Sequence, residues 1–310
     1  MTIRTSVTVI IPAFNSAPTI RRAIDSAIAQ TYVPSEILVV DDCSNDETAD
    51  VVKSYADRGV RLILLTQHKG AGGARNAGIE AAASEVIAFL DSDDEWLNGK
   101  LEAQVEILES SSRISLVACG ANLISEAGAD LGDIYRGHPV VTGSQAWKAL
   151  LAFNFIATPT VIAWRKNLIG LGGFNEVLKI GEDQDLWIRL ALTGDLGYVP
   201  RSFVRVHVRE NSLSAWELSD QLIYTIPMIQ RHVRSLHDRL SKSDLRRILG
   251  ERFGRLGRVA YARGALRTGL SLIVRSILLG YRPLESLYFL ASAAPPAIWL
   301  RRQLGVGTVS

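Results

Sequence analysis

Short continuous apolar runs, each followed by a helical repeat, organise the first 120 residues of this 310-residue chain. Val7-Thr8-Val9-Ile10-Ile11 is rich in β-branched residues and closed by Pro12. Ile20, Ala23, Ile24, Ala27 and Ile28 then recur at the spacing of one helix face. Ile37 to Val40 predicts a second strand ending at Asp41-Asp42. Ser44 with Glu47 three residues on predicts a capping-box start for a helix reaching about Tyr55. The alternation continues with a strand over Val60 to Leu65, a helix over Ala74 to Ala83 and a strand over Val86 to Leu90. Leu101, Val105 and Leu108 mark the next helix, and Ser115 to Cys119 the next strand.

Strands that are apolar at every position are buried on both faces, so the pattern predicts an α/β fold with a mainly parallel central sheet and helices on both sides. In such sheets ligands lie outside the carboxyl ends of the strands. The polar residues that follow strands are Phe14 and Asn15, Asp41 and Asp42, His68 to Arg75, and Asp91 to Asp94. All four sets are expected at one edge. Residues 135–211 carry many short elements, and the chain beyond Leu213 reads as helical. The expected division is a catalytic domain over 1–214 and a helical, basic region over 215–310.

Composition narrows the function classes. Cys43 and Cys119 are the only cysteines, too few for a disulfide framework or a thiolate metal site, which fits a reducing compartment. Nothing in Met1 to Ile11 reads as a signal peptide. The net charge of +2 conceals a segregation: residues 231–310 hold 15 Lys/Arg against 4 Asp/Glu, and residues 1–230 hold 19 against 28. Such asymmetry points to an anionic surface as partner. No recognition motif for nucleic acid accompanies the basic residues. Arg246, Arg247, Arg252, Arg255, Arg258, Arg263, Arg267 and Arg275 are interleaved with apolar residues. The two longest apolar stretches are broken, Leu270 to Leu279 by Arg275 and Leu287 to Leu300 by Pro295-Pro296. The tail is therefore expected to lie in a membrane interface, on anionic lipids, rather than to span it.

Asp91-Ser92-Asp93 is the sharpest chemical feature. Carboxylates crowded at a strand end raise each other's pKa values unless a cation compensates. Hard divalent cations that carry diphosphates are held by one or two carboxylates plus phosphate oxygens. Gly70-Ala71-Gly72-Gly73-Ala74-Arg75 links a strand to a helix, where glycines admit a close ligand and free amides favour anions. It is neither a Walker loop nor a dinucleotide fingerprint. Phe14 offers a stacking surface at the first strand end, and Asp42 an acceptor at the second. Glu182-Asp183-Gln184-Asp185 opens a helix continued by Leu186, Trp187, Ile188 and Leu190.

Together these residues resemble the family 2 glycosyltransferases with their nucleotide-sugar-binding GT-A fold. The resemblance runs from Val7 to about Ser214. It rests, in order, on VTVIIPAFN at 7–15, ILVVDDCSNDET at 37–48, KGAGGARNAGI at 69–79, IAFLDSDDEW at 87–96, GGFNE at 172–176, GEDQDLWIRL at 181–190 and NSLS at 211–214. It implies that Pro12, Phe14 and Asp42 hold a nucleoside, most often uridine, with Ala13, Asn15, Gly70 and Ser92 beside them, and that Arg75 steadies the site. Asp93 would sit on Mg²⁺ or Mn²⁺, with Asp91 nearer the ribose or the metal's waters and His207 a further metal contact. Asp183 would be the base that deprotonates the acceptor hydroxyl, supported by Glu182 and Asp185.

Phe14 stands where the family often has Tyr, His68 where Asn is frequent, and Asn175 where Asp is common. The implied activity is inverting transfer from a nucleotide-diphosphate sugar, such as a UDP-sugar, to a glycan or lipid-linked hydroxyl in bacterial polysaccharide biosynthesis. The implied location is the inner face of the cytoplasmic membrane. Two rival classes make distinct demands. A sugar-nucleotidyltransferase needs a Gly-rich, Arg/Lys-bearing loop after the first strand, which Pro12-Ala13-Phe14-Asn15 is not. An inactive sugar-nucleotide or glycan-binding relative predicts loss of the acidic pairs, and both pairs are present.

Overall fold

The computed structural model describes residues 4–135, 138–208 and 218–293. The chain divides into two compact units, one of residues 1–150 with 154–228 and one of residues 151–153 with Ile229 onward.

The first unit is built on β1 (Val7–Ala13), β2 (Glu36–Asp41), β3 (Val60–Leu64), β4 (Val86–Phe89), β5 (Glu95–Trp96), β6 (Ile114–Ile124), β7 (Asp130–Asp133), β8 (Ile162–Trp164) and β9 (Asp195–His207). The sheet order is β3-β2-β1-β4-β8-β6-β9-β5, with β7 paired to β6. Pairing is parallel through β3, β2, β1 and β4 and again between β6 and β9. It is antiparallel on both sides of β8 and at β5. Helices α1 (Ile20–Ile28), α2 (Thr48–Lys53), α3 (Gly70–Ala81), α4 (Lys100–Glu109), α5 (Ala146–Ala152), α6 (Arg165–Gly170) and α7 (Glu182–Thr193) connect the strands.

β1, β2 and β4 are buried on both faces, as their composition requires, whereas the edge strand β3 buries only Val60. Val7, Val9, Ile11, Ile37, Val39, Val86 and Ala88 join Ile20, Ala23, Ile24, Ala27, Leu101, Val105 and Leu108 in one core. On the other face a Cβ at Gly78 of α3 would lie 2.6 Å from Ile10 Cγ2, so only glycine lets that helix settle on β1. Ala13 is level with Asp41, Asp41 with Leu64, and Ile10 with Phe89. The strand ends β1 to β4 therefore share one edge, as the hydrophobic pattern predicts.

Local details differ from the sequence reading. The capping box at Ser44 does not form, and α2 starts at Thr48 without a side-chain cap. Ser44 Oγ instead accepts from the Asn15 amide at 2.9 Å. The Asp46 carboxylate accepts from the amides of Thr48 and Ala17. The glycine run is not a loop before a helix at Ala74; it is the first turn of α3. β6 continues five residues past Cys119 because Gly120 to Ile124 pair with β9 out to His207. The NSLS motif at 211–214, and the apolar stretch as far as Leu300 with its two prolines, lie in part or whole outside the described residues.

Beyond β9 come α8 (Leu218–Asp220) and α9 (Ile226–Ser235), then α10 (Lys242–Ala262), α11 (Leu266–Leu278) and α12 (Pro283–Ala293). A true capping box starts α10, where Ser241 and Asp244 exchange side-chain and backbone hydrogen bonds. α10 and α11 pack as a close hairpin: a Cβ at Gly257 would lie 2.8 Å from Ile273 Cγ1, and one at Gly269 would lie 2.6 Å from the Tyr261 nitrogen. Ser276 Oγ donates to the Gly250 carbonyl at 2.7 Å across the same seam.

Candidate active site

The four strand-end loops interlock through side chains rather than through a shared apolar contact. Asn15 takes a left-handed backbone (φ 49°) and its Oδ1 accepts from the Asn45 amide at 2.9 Å, tying the loop after β1 to the loop after β2. Ser16 Oγ lies 2.9 Å from Ser92 Oγ, which ties the first loop to Asp91-Ser92-Asp93. Pro12 and Ala13 are the last residues of β1, level with Val40 and Asp41. Phe14 projects from that end with 49% of its surface exposed, its ring centroid 4.5 Å from that of His68.

Asp42 is buried and its carboxylate is already engaged. Oδ1 accepts from the Lys69 amide at 2.7 Å, and Oδ2 lies 3.0 Å from His68 Nδ1. His68, to which the sequence reading assigns no role, is thus the partner of the expected nucleoside residue. Gly72 and Gly73 do not open onto solvent as a phosphate cradle would. A Cβ at Gly72 would lie 3.3 Å from Glu182 Cγ, and one at Gly73 would lie 2.4 Å from Lys69 Cβ. Gly70, at φ 72° with open space around it, is where α3 begins.

Arg75 is the junction of the site. Its side chain is 6% exposed, with Nη2 2.6 Å from Asp91 Oδ1 and Nη1 3.2 Å from Glu182 Oε1. Burial opposes its charge, yet the Asp91 and Glu182 carboxylates hold its pKa above the ordinary value. One guanidinium therefore joins the acidic pair after β4 to the acidic start of α7.

At that start, burial and the neighbouring Asp183 push Glu182 up to about 7, against the pull of Arg75. Asp183 is also raised by burial. Its Oδ1 accepts from the Gln184 amide at 2.6 Å, and its Oδ2 accepts from Asn154 Nδ2 at 3.0 Å. Asp185 engages Arg189 one turn along at 2.7 Å. Arg189 donates to the carbonyls of Leu171 and Gly173, while Asn76 of α3 bonds both the amide and the carbonyl of Phe174. Asp185 is thereby part of the clamp that holds the Gly172-Gly173-Phe174 loop.

On the other side of the acidic pair, Arg22 of α1 donates to the Asp93 carbonyl. Asp94 is buried, and burial together with Asp91 and Asp93 raises its pKa well above the carboxylate range. Antiparallel pairing of β5 with β9 brings His207 here: its amide donates to Asp94 Oδ1 at 3.1 Å, and its Nε2 lies 3.7 Å from Glu95 Oε2. Nε2 is buried with no hydrogen bond among the described residues. No three His, Cys, Asp or Glu side chains among the described residues form a ready metal cage. Crowded carboxylates and a buried imidazole nitrogen that makes no hydrogen bond among the described residues fit a hard cation that takes few protein ligands and completes its shell with phosphate oxygens.

Arg22, His68, Asn76, Asn154 and Arg189 carry no local sequence signal for these roles. Arg22, Asn76 and Asn154 act on residues far along the chain, 71 residues away for Arg22 and Asp93 and 98 for Asn76 and Phe174.

Residues 8–132 match the family model Glycosyl transferase family 2. Succinoglycan biosynthesis protein ExoO of Rhizobium meliloti is 36% identical over an alignment of 222 positions that covers 67% of this chain and 62% of that protein. The match thus spans somewhat less than two thirds of that relative's length. The UDP-Glc:alpha-D-GlcNAc-diphosphoundecaprenol beta-1,3-glucosyltransferase WfaP of Escherichia coli is 32% identical over 61% of this chain and 71% of its own. The putative teichuronic acid biosynthesis glycosyltransferase TuaG of Bacillus subtilis is 30% identical over 73% and 88%.

Among solved structures, S. aureus TarS 1–349 in complex with UDP-GlcNAc gives a TM-score of 0.59 at 19% identity, covering 89% of this chain and 92% of that one. Mannosyltransferase PcManGT from Pyrobaculum calidifontis, in complex with GDP-Man and Mn²⁺, gives 0.60 at 22%, covering 96% and 88%. At these identities the likeness carries the fold alone. Sequence kinship and fold agree: the chain belongs to glycosyltransferase family 2 and is a glycosyltransferase built on the GT-A fold.

Proposed function

We propose that this enzyme transfers a sugar, with inversion, from a UDP-sugar to a hydroxyl of a lipid-linked glycan during polysaccharide biosynthesis, working at the inner face of a membrane. The observation that carries the reading is the Arg75 bridge, which sets the donor-side carboxylate Asp91 and the acceptor-side pair Glu182-Asp183 around one guanidinium. Relatives named for succinoglycan, teichuronic acid and a diphosphoundecaprenol acceptor support the substrate class. The half-exposed Phe14 offers a base its stacking face, with Pro12, Ala13, Asn15, Asp42 and Gly70 around it.

Asp93 and Asp91, with His207, would hold Mg²⁺ or Mn²⁺. When bound, such an ion offsets the charge that develops on the departing nucleoside diphosphate. The chain's own residues do the remainder. Asp183 takes the proton of the acceptor hydroxyl as it attacks the anomeric carbon. Burial raises its basicity, while the Asn154 and Gln184 donors hold its two oxygens in place. Glu182 stays with Arg75, and Asp185 acts through Arg189 on the adjoining loop.

A panel of UDP-, GDP- and TDP-sugars, scored by Mn²⁺-dependent hydrolysis and by thermal stabilisation, tests the donor. The expected outcome is selection of UDP-sugars. Stabilisation by GDP- or TDP-sugars alone rejects the uridine assignment. Equal loss of turnover and of nucleotide affinity in Asp183→Asn rejects the base.

A further inference from the structure

We propose that the outer face of α11 and α12 is a docking surface for an anionic phospholipid bilayer, an inference that rests on the reading of a lipid-linked acceptor. α11 is apolar on two sides. Leu272 and Ile273 are buried, together with Gly269 and Ser276. Leu266, Leu270, Val274 and Leu278 recur every fourth residue on the outside, with exposures of 48, 46, 42 and 81%. α12 adds Leu284, Leu287 and Tyr288, each more than half exposed. Seven large apolar side chains in two successive helices far exceed the scattered apolar exposure ordinary for a soluble surface.

Charge selects the occupant. Arg267 and Arg275 lie on α11 among these leucines and are exposed, and Arg263 and Arg282 flank its ends. α11 contains no Asp or Glu, and the single acid of α12, Glu285, is paired with Arg282 at 3.1 Å. A second copy of this face would set arginine against arginine with no free acid to meet it. Lipid phosphates meet Arg267 and Arg275 while the leucines enter the acyl boundary, which is the arrangement of an interfacial helix. Among the described residues no helix is long and apolar enough to cross a membrane, so the face lies on the bilayer. Glycine contacts in the α10–α11 seam keep the hairpin together without help from this outer face.

Flotation of the full chain with vesicles of phosphatidylcholine and phosphatidylglycerol, against pure phosphatidylcholine, tests the proposal. The native chain is expected to float with the anionic vesicles and to be released by salt. Leu270→Glu with Leu278→Glu should lower partition at least about ten-fold. Arg267→Gln should lower it by about five-fold, the effect of one cation at an anionic surface. All of these positions are exposed, so the thermal midpoint and the donor hydrolysis of the variants should match the native chain.

Native flotation that ignores lipid charge overturns the proposal. So do variants that float like the native chain, or a native dimer in sedimentation that the leucine variants dissolve. Donor hydrolysis reports separately on the catalytic reading. If no nucleotide-sugar is turned over while flotation behaves as expected, the function fails and the surface stands.

Discussion

The two units treat charge in opposite ways. In the first, cations are drawn inside and satisfied: Arg75 between Asp91 and Glu182, and Lys100 between Gln104 Oε1 at 2.7 Å and the Trp96 ring at 3.9 Å. Lys100 is fully buried, and burial lowers its pKa to about 8. In the second, Arg263, Arg267, Arg275 and Arg282 stand on the outside, and Arg252 is the buried exception, bonded to the Leu151 carbonyl. A buried charge is tolerable only in one arrangement, because removing a partner strands the other. An exposed charge changes little when its neighbours change. The first unit should therefore be brittle where its charges meet, and the second forgiving in stability while selective in what it attracts.

The hardest break of this contrast is Asp183→Asn, which removes the proposed base and leaves the packing. Turnover should fall about 10²- to 10⁴-fold with nucleotide affinity nearly unchanged, read by steady-state kinetics and calorimetry. Next comes Arg75→Met, which strands two carboxylates. It should cost about 3–5 kcal/mol in denaturant melts, well beyond any single exposed arginine of the second unit.

Asn154→Leu sharpens the comparison within the first unit. Losing a donor to the carboxylate form raises the Asp183 pKa, so the acidic limb of kcat/KM should move up by about one pH unit. The sign follows from the base being active when deprotonated: activity rises with pH through the pair, whose Glu182 member sits at about 7. Smallest of all, Leu278→Glu in the second unit should move stability by no more than about 0.5 kcal/mol.

The strands and their common edge were legible in the sequence because continuous apolar runs leave few alternatives to a doubly covered parallel sheet. Asp91, Asp93 and Asp183 stood out because acids at strand ends and helix starts are conspicuous. What was hidden is pairing over long separations. Asn154 reaches Asp183 across 29 residues in a region with no clear periodicity. His207 reaches Asp94, 113 positions away, only because β5 pairs with β9. Ser44 is ambiguous for a different reason. Its hydroxyl suits a helix cap or a cross-loop acceptor equally, and the Asn15 amide decided between them. Asp42 follows the β2 end as the hydrophobic pattern predicts, while its engagement by His68 and Lys69 is not legible in spacing alone.

The seam between α10 and α11 has a practical consequence. Gly250, Gly254, Gly257 and Gly269 each stand where an added methyl group would meet a neighbour at 2.4–2.8 Å. The hairpin is thus specified by shape along one line and left open elsewhere. Its outward positions can be rewritten with other side chains without redesigning the scaffold beneath.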